Sequence, residues 1–233
     1  MYQDIEYNNI RGSTLKIFAR ERPSIPAPRK RRKEITIPGR DGSLYTTEED
    51  YEPTEIPVRF NYIGPPEEWG ARWRAAKKWL SAGNSALKFS DDGGFFYKVA
   101  HVELEENERP TEKIGIFQAT FITRDGLSYL VDGIEKYDVK DVILNPYIAS
   151  HPIYLITGEG KCTLTVNGNT VTANVGQNMI IDTDRILAYR ENGTLQNTEV
   201  TGDFKKLYLQ EGENDISISS GFDLKVIPNW RCE

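Results

Sequence analysis

Cysteine, histidine and methionine are scarce, two of each in 233 residues, and each scarcity removes a class of chemistry. Cys162 and Cys232 form no Cys-x-x-Cys pair and have no histidine nearby in the sequence. They read as incidental thiols, with neither a disulfide framework nor a zinc site. His101 and His151 fall in different predicted domains and lack the paired spacing of metal ligands or a proton relay. Long apolar runs are missing as well. The stretch Met1-Tyr2-Gln3-Asp4-Ile5-Glu6 has no basic region followed by apolar residues, so the sequence predicts no signal peptide and no membrane span.

Catalytic motifs are equally sparse. There is no Gly-x-Ser-x-Gly elbow, and Gly158-Glu159-Gly160-Lys161-Cys162 ends in cysteine where a phosphate-binding loop requires Ser or Thr, so it reads as a hairpin turn. Two acidic clusters are present: Glu103, Glu105, Glu106 and Glu108, and Glu48, Glu49, Asp50, Glu52 and Glu55. Neither is set in apolar sequence that would raise a carboxyl pKa into a working range, so both read as solvated or interface faces. No cofactor, metal or catalytic residue is expected, and the chain reads as a non-enzyme. Asn192-Gly193-Thr194 matches a glycosylation acceptor and reads as a turn.

What is present favours strands. Gly and Pro supply 31 residues (19 and 12) and aromatics 11%, a β-leaning composition with many turns, and a chain this long buries enough surface to need no staples. The net charge of -6 is uneven: residues 1–133 hold 20 of the 29 Lys/Arg and 21 of the 35 Asp/Glu, which leaves 9 and 14 for residues 134–233. Such a balance is a poor one for gripping a phosphate backbone.

In the first half, Leu15, Ile17 and Ala19, then Val58, Phe60 and Tyr62, alternate with polar neighbours as half-buried strands do. Residues 22–56 between them, with five prolines and the Gly39 and Gly42 breaks, predict a long extended arm free of packed elements. One helix is predicted from Pro66 to Ala82, with Glu67 and Glu68 at its start, Lys77 and Lys78 in its later turns and Gly83 as its stop. Trp69, Trp73, Ala76 and Leu80 make its core stripe; Trp79 lies off the stripe, where it broadens the buried face or meets a partner. Asp91-Asp92-Gly93-Gly94 predicts a hairpin, and residues 114–123 a long strand. A charged stretch between about 130 and 140 marks a domain boundary. Beyond it, short runs at 153–156, 162–166, 170–173, 179–182, 186–189, 206–209, 216–219 and 224–227, with Asn167-Gly168 as a two-residue turn, predict a β-sandwich of jelly-roll type.

The run Arg29-Lys30-Arg31-Arg32-Lys33 is the one concentrated basic patch. It suits contact with an acidic partner, a plain solvated loop or, without aromatics interleaved for base stacking, a nucleic-acid contact. Close by stands Ile37-Pro38-Gly39-Arg40-Asp41-Gly42-Ser43-Leu44. Together with Arg22-Pro23-Ser24-Ile25-Pro26, the aromatic helix around Trp69 and Trp79, and Phe89-Ser90-Asp91-Asp92 leading into Tyr97-Lys98-Val99, this segment resembles the distal tail proteins of long-tailed bacteriophages. The likeness continues at Val166-Asn167-Gly168, Ile181-Asp182, Gly202-Asp203-Phe204, Glu211-Gly212-Glu213-Asn214 and Pro228-Asn229-Trp230-Arg231.

The resemblance implies a mainly β protein with two domains. Residues 1–133 would be a split-barrel ring domain with one helix and a long arm, and residues 134–233 a galectin-like or jelly-roll β-sandwich. It implies a structural hub at the virion tail tip, made in the bacterial host cytoplasm. Six copies would form a ring between the tail tube protein and the tail-tip, baseplate and receptor-binding proteins, with DNA passing through unbound. Arg29, Arg31, Arg32, Arg40, Asp41 and Trp79 are the expected assembly contacts. The rival from another class is a carbohydrate-binding module for host-wall glycans, in which the C-terminal sandwich stacks sugars on aromatics drawn from Tyr147, Tyr154, Tyr189, Tyr208, Phe204, Phe222 and Trp230.

Overall fold

The computed structural model describes residues 4–39, 41–139 and 142–233. The chain is mainly β with a single α-helix among the described residues, and it divides into two compact units, residues 1–128 with Glu233 and residues 129–232.

Unit 1 contains β1 (Ile5–Tyr7), β2 (Ile10–Arg11), β3 (Ile17–Ala19), β4 (Lys30–Thr36), β5 (Ser43–Tyr51), β6 (Glu55–Ile63), α1 (Trp69–Leu80), β7 (Ser85–Phe89), β8 (Phe95–Leu104), β9 (Glu108–Thr111) and β10 (Ile114–Leu130), the last of which runs on past the end of the unit. Its main sheet has the order β2-β1-β7-β8-β10-β6-β3, with β9 also pairing β10. Alternation sets one face inward: Ile56, Val58, Phe60 and Tyr62 of β6 lie opposite Phe121, Ala119, Phe117 and Gly115 of β10. Phe60 and Phe117 stack at 5.2 Å. Gly115 is required where it stands, because a Cβ there would lie 2.1 Å from the Tyr62 ring.

The helix is shorter than its pattern. Pro66–Glu68 form a 3₁₀ turn ahead of α1, which ends at a Ser81 cap whose N–H bonds the Lys77 carbonyl. The left-handed residue past its end is Asn84 (φ 51), not Gly83, asparagine being the other residue that tolerates this conformation. The predicted stripe is also rotated. Ala76, Leu80 and Trp79 are buried, while Trp69 and Trp73 pack only partly against the core.

Unit 2 contains β11 (Tyr137–Asp138), β12 (Val142–Asn145), β13 (Ile153–Val166), β14 (Asn169–Asp182), β15 (Leu187–Tyr189), β16 (Val200–Thr201), β17 (Gly212–Ile218) and β18 (Asp223–Ile227). The four runs expected at 153–182 are two long strands, joined by Asn167-Gly168 at φ 49° and 78° and paired from Val166↔Asn169 to Ile153↔Asp182. Besides each other, both strands pair with two further strands, β14 with β15 and β16. Residues 153–157 of β13 pair with β18, and residues 164–166 pair with β17. The strand changes partner across Gly158–Cys162, which is therefore a bend inside a strand and not a hairpin turn; Gly158 and Gly160 take φ 153° and 98° there. The core enclosed by these ladders includes Tyr154, Ile156, Leu164, Val171, Met179, Ile181 and Val226. The run at 206–209 is not a strand: Phe204–Leu207 is a 3₁₀ turn capped by the Asp203 side chain, with Phe204 and Leu207 buried. Pro228–Arg231 is held within unit 2, where the Leu130 N–H bonds the Trp230 carbonyl and Arg231 Nε donates to the Ala149 carbonyl.

Candidate functional site

The arm is not structureless. Residues 30–51 form a two-stranded antiparallel sheet of their own, β4 on β5, with Thr36 opposite Ser43 and Lys30 opposite Tyr51. The ladder is irregular between Lys30 and Arg32, where β5 carries extra residues. Gly39 and Gly42, at φ 81° and 78°, turn the chain at its tip. The prolines and charges that crowd the segment argued for an extended arm without a packed element, and gave no sign of a ladder within it. Those prolines flank the ladder instead, and every residue of β4 is exposed.

Charge and apolar surface are segregated along this hairpin. Arg29, Lys30, Arg31, Arg32 and Lys33 enter it, while Glu48, Glu49, Asp50 and Glu52 leave it. Among the described residues, Arg31, Arg32 and Lys33 form no ion pair with those carboxylates. Towards the tip, Ile35 faces Leu44 across the ladder, and Ile35, Ile37, Leu44 and Tyr45 are 37, 41, 45 and 62% exposed. A lone hairpin is marginal in water, and these four side chains leave an apolar strip uncovered on a two-stranded ribbon. The sequence signal for this strip was the Ile35–Ile37 alternation ahead of the Pro38–Gly42 turn.

The predicted contact residues divide accordingly. Arg29, Arg31, Arg32 and Asp41 are exposed on the hairpin or at its tip; Arg40 lies outside the described residues. Trp79 is not on a free surface. It is 3% exposed, its indole N–H donates to the Tyr7 carbonyl at 2.9 Å, and its ring meets Phe60 edge-on at 5.9 Å. Trp79 broadens the buried face of α1.

The remaining polar clusters are arranged for structure. His151 Nδ1 faces Asp184 at 3.4 Å, its Nε2 lies 3.0 Å from Arg231 Nη2, and its ring stacks on Tyr208 at 3.9 Å. A guanidinium thus stands where an Asp–His pair would need a nucleophile. Burial pushes the Cys162 thiol up, away from the thiolate a nucleophile requires. Among the described residues no three His, Cys, Asp or Glu side chains group to hold a metal, and no helix is long and apolar enough to cross a membrane.

No family model matches the chain. No curated protein sequence matches it. Seven chains of solved structures match. One is the Dit protein of phage SPP1, described as a paradigm of the hub adsorption apparatus in phages infecting Gram-positive bacteria. The likeness covers 96% of this chain and 97% of that one, with a TM-score of 0.67 at 14% identity. At that identity the likeness establishes the fold, in both units and in their order along the chain.

Proposed function

We propose that this protein is a distal tail hub of a long-tailed bacteriophage. The observation that carries the reading is a shared fold over nearly the whole of both chains, at TM-score 0.67, in a molecule whose first unit holds out a hairpin that its own core leaves uncovered. In this reading unit 1 forms a six-membered ring stacked on the tail tube. The β4–β5 hairpin reaches a neighbouring copy, its apolar tip supplying contact area and its basic strand steering onto acidic surface. Unit 2, a galectin-like domain, faces the tail-tip, baseplate and receptor-binding proteins. DNA passes through the ring without specific contact, as a net charge of -6 favours. Catalysis has no part in this role.

Electron microscopy of the purified full-length protein tests it. Rings with sixfold symmetry are the expected result. A protein that stays monomeric at every concentration, by microscopy and by light scattering, would remove the hub from consideration.

A further inference from the structure

Unit 2 has a surface feature for which the ring has no use. Where β13 exchanges β18 for β17, those strands part and leave a groove of about 650 Å³. Its floor is apolar, with Ile218, Phe222 and Leu224 packed partly into the core beneath. Its rim is polar and includes Asp138, Ser217 and Asp223. Phe222 is held in place by close packing on Gly158, where an added Cβ would come within 2.3 Å of its ring. A second groove, of about 230 Å³ and mostly apolar, is lined by Tyr137, Trp230 and Leu144. Asp138 lines both grooves. The Tyr137 and Trp230 rings are 5.8 Å apart and tilted by 42°, and Tyr137 remains 37% exposed.

We propose that the two grooves are one binding site for a neutral saccharide of two or more rings. A pyranose offers apolar C–H faces and an edge of hydroxyls, and the grooves answer both: aromatic and aliphatic surface on Phe222, Leu224, Tyr137 and Trp230, and acceptor oxygens on Asp138 and Asp223. A hydroxyl donating to a carboxylate makes the stronger, charge-assisted kind of hydrogen bond. Charge selects among sugars. Lys225 Nζ lies 3.4 Å from Asp138, so that pair is balanced while Asp223 stands uncompensated at the rim. Phosphorylated and uronic polymers are repelled by it, and polycationic peptides are opposed by Lys225. The site does not depend on ring formation.

The test is calorimetric titration of the full-length protein with the neutral disaccharides of glucose, galactose and N-acetylglucosamine, with glucose 6-phosphate as the anionic control. At least one neutral disaccharide should bind saturably. Asp223→Asn, an exposed change that leaves the core intact, should weaken it about tenfold or more, about 1.4 kcal/mol. Phe222→Ala should do the same, and Leu195→Ser, on an unrelated exposed side chain, should leave it unchanged. Failure of every disaccharide to bind, retention of affinity in Asp223→Asn, or equal binding of glucose 6-phosphate would each overturn the proposal. None of these outcomes bears on the ring.

Discussion

Trp79 and Trp73 share one helix and meet different environments. The sequence pattern placed Trp73 on the buried stripe and Trp79 beside it, since a helical wheel assumes that the stripe's centre faces the core. The wheel cannot see the Tyr7 carbonyl, which captures the Trp79 indole N–H, or Gly12, whose missing side chain leaves room for the Trp79 ring. Trp79→Ala should therefore cost about 3–5 kcal/mol as a full core truncation. Trp73→Ala should fall in the ordinary range of about 0.5–3 kcal/mol. Urea melts of the two variants check the order, and equal losses would return Trp73 to the core. Tyrosines carry a second residue-scale consequence. Burial pushes the phenols of Tyr7, Tyr62 and Tyr154 up. An unfolded chain gives up such protons at about pH 10 and the fold holds them longer. Their contribution to stability is thus whole below about pH 10 and is lost as pH rises beyond it. In an alkaline titration these three phenols should ionise only together with unfolding, later than the exposed tyrosines. A smooth titration of all twelve tyrosines in a protein that keeps its circular dichroism would contradict this.

Elements with a strict period were legible in the sequence. Val58, Phe60 and Tyr62 alternate as a strand and are buried as one, and Asn167-Gly168 is the tight turn its residues demand. Elements defined by partner exchange were not, because composition does not record that β13 pairs with β18 over one part of its length and with β17 over another. The arm was legible as an extended, unpacked segment, but nothing in its residues announced that it would pair with itself; backbone pairing needs no burial, and a ladder formed on charge-rich strands. The basic run is exposed, and most of it lies on β4 of the hairpin rather than in a loop, which gives it a testable role. Changing Arg31, Arg32 and Lys33 to Ser should leave the melting temperature where it is and weaken assembly. Exposed ion pairs contribute only about 0.2–1 kcal/mol each, so rings should form at higher protein concentration and lose part of their sensitivity to salt. Sedimentation across a salt series measures both effects. Tight, salt-labile DNA binding by the wild type that the triple change abolishes would favour a nucleic-acid contact instead.

Across the whole molecule, the two compact units part between Ser128 and Tyr129, within β10, ahead of the charged stretch where the sequence changes character. A fragment of residues 1–128 should retain ring formation, and residues 129–233 should remain monomeric. Light scattering decides, and an oligomeric second fragment beside a monomeric first would reverse the assignment of roles. The β13–β14 ladder has a further bearing on how such a chain acquires its structure. Its turn at Asn167-Gly168 closes a two-residue loop, and every later pair from Val166↔Asn169 outward is added next to one already made. Closure of so short a loop forfeits little entropy, and hairpins of this kind form within about 1–10 μs. In unit 1, by contrast, β1 must find β7 at Ile5↔Phe89, across most of the unit, and low contact order generally precedes high. Unit 2 thus builds its longest ladder from a local hairpin, while the first strand of unit 1 waits on a distant partner, so the fragment of residues 129–233 should refold faster than that of residues 1–128, as stopped-flow fluorescence measures.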